Sequence, residues 1–233
     1  QGGLAAILPD GVTQEQVAGA LKSSFAVSAV VARDNGSVWL LSPGTVRIGS
    51  ITIAFSKAIA PSDALILVDS DAFGTGHHPT TMLCIEAIEE IVADEQPNGV
   101  LDVGTGSGIL ALAALKLGVP RAVGLDIDPS ALEIAAENAL LNRLADRLQL
   151  ILGGPDVLTD KWPLVVANVL AAPLIEMAPV LVSRLGKRGR LILSGIPSSL
   201  ETEVRRAYEH FGIRHIGSKT RGGWAVIIAQ ALW

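Results

Sequence analysis

The fold class is decided by the stretch DVGTGSG, residues Asp102–Gly108. It follows the short apolar run 99–103, typical of a buried strand, and precedes the run 109–117, typical of a buried helix. Glycines at such a turn let the backbone reverse sharply and let a ligand approach the main chain beside the free N–H groups of the helix. A tight turn in any α/β domain remains the alternative, because a glycine-rich turn alone is a weak signal.

The glycine spacing and the next acidic residue narrow the kind of ligand. A dinucleotide fingerprint needs its third glycine at position 109, which is Ile109, and the Gly-Lys-Ser/Thr of a P-loop is absent. Asp126 ends the next apolar strand, at the distance where an acid reaches ribose hydroxyls. Asp128 stands just before Pro129, and this position favours a helix N-cap. We therefore predict that Asp126 is a ribose ligand.

Strands and helices alternate from about residue 83 onward. Continuous apolar strands separated by helices predict an α/β fold, with a mostly parallel sheet covered by helices on both faces. The last two predicted strands have no helix between them, which predicts one antiparallel strand at the end. The predicted strands are 99–103, 122–125, 148–152, 164–169, 190–193, 213–216 and 224–229, and the predicted helices are 81–93, 109–117, 129–142, 175–184 and 199–211.

The first sixty residues differ from the rest of the chain in their predicted elements. Residues 13–24 predict a short helix, residues 27–33 and 37–41 predict two strands around the turn Asp34–Gly36, and residues 46–55 predict a further strand. We therefore expect a small N-terminal α+β segment and linker over residues 1–60, followed by the main domain over residues 61–233.

Composition excludes several classes of protein. Of 233 residues, 49% are hydrophobic, enough to build a full core, and 18 basic against 23 acidic residues leave a net charge of −5. This charge argues against a chain that coats nucleic acid, so no direct nucleic-acid partner is expected. The single cysteine, Cys84, excludes an intramolecular disulfide framework and suits a reducing cytosol, so we expect a cytoplasmic protein.

Two observations argue against a membrane location. The N-terminus has no basic segment before an apolar core, so no signal peptide is expected. The stretch Pro163–Val182 is long and apolar, but it contains Asn168, Glu176 and three prolines. A buried strand, a turn and a buried helix explain it better than a membrane span.

Two further motifs stand beside strand or helix ends. The first is FGTGHHPTT, residues 73–81, which we expect to fold over a ligand; the alternative is a purely structural role, in which Thr80 or Thr81 caps a helix. Its adjacent histidines are poorly placed to share one metal ion, so no metal site is predicted. The second is ANVLAAPL, residues 167–174, whose Asn168 ends a predicted strand and either forms a turn or orients a nucleophile.

These motifs resemble those of a known enzyme family. The glycine loop followed by GLDID, residues 124–128, resembles motifs I and II of the seven-stranded, S-adenosylmethionine-dependent methyltransferases. The stretches at residues 73–81 and 167–170 resemble the PrmA family, the ribosomal protein L-11 methyltransferases. The resemblance implies a doubly wound, Rossmann-like sheet of seven strands. It also implies cofactor contacts at Thr81, Gly104, Gly106, Asp126 and Asn168, and a motif loop that includes Phe73, Gly74 and His78.

The resemblance also implies an activity. We expect a protein N-methyltransferase that uses S-adenosyl-L-methionine to methylate lysine side-chain or N-terminal amines, with ribosomal protein L-11 as its partner. Asn168 is the predicted catalytic residue, because its amide oxygen can accept amine hydrogens and aim the nitrogen, whereas His77 and His78 are weaker candidates for a base. The alternatives are another protein or small-molecule acceptor, an NAD(P)-linked oxidoreductase, which Ile109 opposes, and a cofactor-binding protein without turnover.

Overall fold

A computed structural model of the chain describes residues 4–7, 25–33, 36–43, 45–55, 60–68 and 78–233. Strands and helices within these residues are numbered in chain order. The strands are β1 (Leu4–Ile7), β2 (Phe25–Arg33), β3 (Gly36–Pro43), β4 (Thr45–Ile48), β5 (Ile51–Ala54), β6 (Leu65–Ile66), β7 (Val100–Val103), β8 (Ala122–Asp126), β9 (Leu148–Leu152), β10 (Trp162–Asn168), β11 (Leu185–Pro197), β12 (Ile213–Arg221) and β13 (Trp224–Ala231). The helices are α1 (Pro79–Glu95), α2 (Ile109–Lys116), α3 (Pro129–Leu141), α4 (Ala171–Glu176), α5 (Ala178–Ser183) and α6 (Glu201–Glu209).

The main sheet has seven strands in the order β12-β13-β11-β10-β7-β8-β9. Strand β13 runs antiparallel to both of its neighbours, and the pairs β11-β10, β10-β7, β7-β8 and β8-β9 are parallel. The predicted fold class, a mostly parallel sheet with one antiparallel strand near the end of the chain, is confirmed. Since β7, β8 and β10 are parallel, their carboxyl ends meet at one edge of the sheet.

Alternate residues of each central strand enter two separate cores. Leu164 and Val166 of β10 pack in one core with α1 and α2, whereas Val165 and Ala167 pack in the other with α4, α5 and α6. Strands buried on both faces need helices on both faces, which is why the sequence shows continuous apolar strands rather than alternation.

The N-terminal strands agree with the sequence in part. Strands β2 and β3 form the predicted hairpin, in which Arg33 pairs with Gly36. The single strand predicted over residues 46–55 is wrong, because the chain turns at Gly49, whose φ is +56°, and forms the antiparallel pair β4-β5. The helix predicted over residues 13–24 lies outside the described residues.

Hairpin β4-β5 packs against the main sheet's own helix. Its buried side chains Ile48, Ile51 and Ile53 belong to the same core as Leu83 and Ile88 of α1. The boundary predicted between residues 60 and 61 separates these side chains in sequence, whereas in space they share one core.

One predicted helix is interrupted. Residues 175–184 were expected to form a single helix, but α4 ends at Glu176 and α5 begins at Ala178. Pro179 has no N–H to donate to the carbonyl of Ile175, so an unbroken helix cannot pass through this point. Among the described residues, every helix is too short or too polar to cross a bilayer.

Candidate active site

The glycine loop between β7 and α2 is held by the neighbouring strand. The backbone N–H groups of Gly104 and Thr105 both donate to the carbonyl of Leu125, at 2.8 Å each. Gly104, Gly106 and Gly108 have φ angles of +71°, +55° and +79°, so all three occupy the backbone region that favours glycine. This geometry brings the loop against the carboxyl end of β8, where Asp126 stands.

Asp102 fixes the loop from inside the protein. Its buried carboxylate oxygen Oδ2 accepts hydrogen bonds from Thr105 Oγ1 at 2.7 Å and from the N–H of Ala111 at 3.2 Å. Its Oδ1 is buried and has no hydrogen-bond partner in the part of the chain that is described. Burial raises the pKa of Asp102 to about 6, although the bonds from Thr105 and Ala111 oppose this. The sequence placed Asp102 in the motif without indicating this supporting role.

Asp126 touches the loop from the other side. Its Oδ2 accepts from the N–H of Gly106 at 2.9 Å, and its Oδ1 accepts from the N–H of Asp128 at 3.1 Å. Each carboxylate oxygen keeps a second lone pair, so the group can still accept hydrogen bonds from ligand hydroxyls. Asp128 accepts from the N–H of Ser130 at 2.9 Å and is the N-cap of α3, as predicted.

Two cavities meet at the end of β10. The first, of about 370 Å³, lies between the glycine loop and Asp126, and we call it the glycine-loop cavity. The second, of about 460 Å³, is the Trp224 cavity, lined by His78, Asn168, Val169, Leu170, Pro173, Gly195 and Trp224. Asn168, Val169 and Pro173 line both cavities, so they form the boundary between them.

Asn168 is the polar residue of this boundary. It is the last residue of β10, and only 9% of its surface is exposed. Its Oδ1 is buried and has no hydrogen-bond partner within the described residues. A buried acceptor without a partner is costly, by about 1–3 kcal/mol, and a ligand N–H or O–H that reaches it removes this cost.

Val169, the residue after Asn168, lies closely between two glycines, Gly104 and Gly195. A Cβ at Gly104 would lie 2.5 Å from Val169 Cγ1, and one at Gly195, whose φ is +83°, would lie 2.2 Å from the Val169 carbonyl oxygen. Any side chain at either position would displace the residue that follows Asn168. Gly195 was not among the predicted site residues, although it stands in a Ser-Gly-Ile turn that fits the PrmA family.

The start of α1 closes one side of the Trp224 cavity. The N-cap of α1 is His78, whose side chain accepts from the N–H of Thr80, so the alternative of a cap at Thr80 or Thr81 is wrong. The His78 ring stands edge-on to Trp224, with 4.9 Å between ring centroids, and partial burial lowers the pKa of His78. Thr81 is fully buried, and its Oγ1 has no hydrogen-bond partner in the described part.

The remaining predicted residues, Phe73, Gly74 and His77, lie outside the described residues. In the described ranges, no three His, Cys, Asp or Glu side chains group together as ligands for a metal ion.

A larger cavity, of about 600 Å³, lies at the other edge of the sheet. It is lined by residues that end α1 and α2, including Gln96, Asn98 and Pro120, next to the amino ends of β7 and β8. Ligands of open parallel sheets bind at the carboxyl ends of the strands, where the free N–H groups of helices also point. The two cavities at Asn168 are therefore the candidate active site.

Comparison with known proteins places the chain among methyltransferases. Residues 13–231 match the family described as ribosomal protein L11 methyltransferase (PrmA). The chain belongs to the PrmA family. It is 38% identical over 224 residues to the ribosomal protein L11 methyltransferase of Geotalea daltonii, covering 90% of this chain and 71% of that protein. It is 41% identical over 207 residues to that of Chromohalobacter salexigens, covering 87% and 68%.

Solved structures of methyltransferases are similar in fold to this chain. The ribosomal protein L11 methylase of Lactobacillus delbrueckii subsp. bulgaricus superposes with a TM-score of 0.72 at 30% identity, covering 79% of this chain and 97% of that one. An RNA methyltransferase of Salinibacter ruber, solved in complex with S-adenosyl-L-homocysteine, has a TM-score of 0.51 at 18% identity, covers 63% of this chain and 88% of its own, and shares only the fold. Membership of the PrmA family confirms the predicted family, the predicted methyltransferase class and, for that class, the predicted methyl donor.

Proposed function

We propose that this PrmA-family chain transfers the methyl group of S-adenosyl-L-methionine to amines of ribosomal protein L11, either lysine side chains or the N-terminal amine. The observation that carries the proposal is the position of Asn168, which divides the glycine-loop cavity from the Trp224 cavity and whose buried Oδ1 has no hydrogen-bond partner among the described residues. A methyl donor in one cavity and an amine in the other would meet at this residue. The relatives named for L11 support the substrate.

The residues present fit the cofactor. Gly104 and Gly106 bring backbone against the glycine-loop cavity, and Asp126 keeps two free lone pairs at its rim. In the proposal, the two glycines contact the methionine part, Asp126 holds the ribose and Asn168 contacts the reacting end. Thr81 is a proposed contact through its Oγ1, which has no hydrogen-bond partner in the described ranges. Phe73 and Gly74 remain proposed contacts on the resemblance alone.

When bound, the sulfonium cofactor supplies an electrophilic methyl group and a neutral leaving group. The protein's task is then to bring a neutral amine into line with that methyl group. A lysine has a pKa of ~10.4 in water, so its proton must be lost before the nitrogen can react. The walls of the Trp224 cavity formed by Val169, Leu170 and Pro173 are apolar, and desolvation there favours the neutral amine. Asn168 Oδ1 accepts an amine hydrogen and directs the lone pair.

The test is methyl transfer by Asn168→Ala in single turnover at saturating cofactor, beside a cofactor titration. Turnover should fall far more than cofactor affinity, because the amine loses the acceptor that orients it. Asn168→Asp should keep part of the activity, since a carboxylate accepts the same hydrogens. Asn98→Ala, at the exposed opposite edge of the sheet, is the matched control and should behave as the parent. Transfer at the parent rate by Asn168→Ala would disprove the assignment.

The acceptor is tested separately. Radiolabelled methyl should pass to purified ribosomal protein L11, and labelling of other proteins or small molecules in a lysate, but not of L11, would favour the alternative acceptor. Membership of a methyltransferase family argues against the oxidoreductase alternative, so calorimetry should detect binding of S-adenosylmethionine and not of NADH.

We also propose a different start for the methyltransferase domain. Because Ile48, Ile51 and Ile53 are buried with α1, we propose that the methyltransferase domain begins at β4 rather than at residue 61. A chain that starts at Thr45 should then unfold cooperatively, whereas one that starts at Pro61 should lose stability and expose the apolar face of α1.

A further inference from the structure

Asn138 of α3 and Asn142, the C-cap of that helix, replace a neighbouring strand for the segment of residues 65–68, which includes β6. The N–H of Leu67 donates to the carbonyl of Ala54, so the odd residues of the segment face β5. The N–H groups of Ile66 and Val68 point the other way and donate to Asn142 Oδ1 at 2.8 Å and to Asn138 Oδ1 at 2.7 Å.

The spacing of the two asparagines explains this fit. Four residues of a helix rise about 6 Å, and two residues of a strand advance about 6.6 Å. Asn138 in the last turn of α3 and Asn142 at its C-cap are four residues apart and can therefore meet alternate N–H groups of an extended segment. Each asparagine can also donate hydrogen bonds from its side-chain NH₂ group, and the two groups donate to different backbone carbonyls.

Asn138 connects this segment to the glycine loop. Its side chain is fully buried, and its Nδ2 donates to the carbonyl of Ser107 at 2.8 Å. Since Val68 offers a donor and Ser107 an acceptor, the orientation of the amide is fixed by its backbone partners. Asn142 Nδ2 instead donates to the carbonyls of Ile66 and Asn138, at 2.6 Å and 2.7 Å.

The same face of α3 touches the loop at a second point. A Cβ at Gly108 would lie 3.1 Å from Ala135 Cβ, so α3 packs directly against the last glycine of the loop. Ala135 is fully buried, and Asn138 is one helical turn further along. The loop is thus held on one side by hydrogen bonds to Asp102 and on the other side by contacts with Ala135 and Asn138 of α3.

We infer that Asn138 is a positioning residue, which holds the glycine loop in its cofactor-binding shape by tying the Ser107 carbonyl to α3. This inference rests on the proposed cofactor site. A loop that adopts the competent shape only part of the time binds the cofactor more weakly, in proportion to the fraction that is competent. Once the cofactor is bound, the loop is held by its ligand, so the rate at saturation is little changed.

The experiment compares Asn138→Ala with Asn142→Ala, using S-adenosyl-L-homocysteine in calorimetry on the full chain. Asn138→Ala should bind about tenfold more weakly, since it removes the hydrogen bond that ties the Ser107 carbonyl to α3, and Asn142→Ala should bind within about twofold of the parent. In methyl transfer, Asn138→Ala should raise KM for the cofactor by the same factor and leave kcat within about twofold. Chemical unfolding reports what each variant loses in stability.

A second variant guards against a general loss of folding. Asn138→Asp keeps the acceptor for Val68 N–H and places a carboxylate oxygen against the Ser107 carbonyl, so it should weaken binding at least as much as Asn138→Ala. Without any ligand, the amides of Gly106 and Gly108 should exchange their hydrogens faster in the Asn138 variants than in Asn142→Ala.

The outcomes are distinct. Equal losses in the Asn138 and Asn142 variants, or parent-like binding and exchange in the Asn138 variants, overturn the inference and leave the proposed function intact. A parent chain that does not bind S-adenosyl-L-homocysteine overturns the proposed function and the inference's account of affinity. In that case, the amide exchange still decides whether Asn138 holds the loop.

Discussion

Replacing Asp102 by Asn should change how the protein's stability depends on pH. Asp102 is fully buried, and its pKa is raised to about 6 from an ordinary value of 3.8, chiefly by burial. Asn keeps an oxygen for Thr105 and Ala111 and places its nitrogen where Oδ1 has no described partner. The variant therefore removes one titrating group while it keeps the bonds that shape the glycine loop.

The direction follows from proton binding. The folded protein holds the Asp102 proton more tightly than the unfolded chain does, so this group stabilises the fold most below pH 3.8, and that contribution is lost as the pH rises through 6. The interval between the two pKa values corresponds to about 3 kcal/mol, of which about half is lost between pH 5 and pH 8.

The assay is urea unfolding of the parent and of Asp102→Asn at a series of pH values. The stability of the variant relative to the parent should rise by about 1–2 kcal/mol from pH 5 to pH 8, because other groups cancel in the difference. Asp128→Asn is the control: hydrogen bonds from Ser130 lower the pKa of Asp128, so its difference should be flat above pH 5. A constant difference between Asp102→Asn and parent would refute the reasoning.

Three other substitutions and one labelling experiment test the remaining structure. Asp126→Ala should weaken S-adenosylhomocysteine binding in calorimetry by about 1.5–3 kcal/mol, the value of a hydrogen bond to a charged group, and unchanged affinity would remove Asp126 from the ribose. Gly195→Ala should lower the free energy of unfolding by about 1–3 kcal/mol and impair methyl transfer, because its Cβ cannot pass the Val169 carbonyl. Glu86→Gln should alter stability by less than about 1 kcal/mol, because its ion pair with Arg221 is partly exposed. Burial raises the pKa of the Cys84 thiol, so a thiol reagent should label it only as the protein unfolds; rapid labelling of the folded chain would contradict this.

The sequence predicts best where local pattern and tertiary structure agree. Strand β9 has the predicted bounds, and the glycine loop, Asp126 and Asn168 stand at the predicted strand ends. These features are local: buried strands are continuously apolar, and a turn after a parallel strand needs glycine. Asp128 belongs with them, because an acid before Pro129 at a helix start has few other uses.

Features that depend on long-range packing could not be predicted from the sequence. Strand β11 begins at Leu185, five residues before the prediction, because Leu185 pairs with Trp162 of β10; the register then shifts, and regular pairing resumes between Arg190 and Leu164. Strand β12 likewise continues through the polar residues 217–221 by pairing with β13. Gly195, Trp224 and Asn138 reach the site from distant parts of the chain, so no local spacing connects them with the glycine loop.

Buried side-chain atoms without a described hydrogen-bond partner indicate what kind of ligand the site binds. Of the five buried side-chain atoms without a described partner, Asn168 Oδ1 belongs to a residue that lines both cavities of the site. An acceptor at this point favours a ligand that brings an N–H or O–H donor, as an incoming amine does. Leaving this oxygen unpaired costs stability in the empty protein, and that cost is returned as affinity when a donor arrives. The glycine loop must therefore be supported independently of the ligand, and the hydrogen bonds made by Asp102 and Asn138 provide that support.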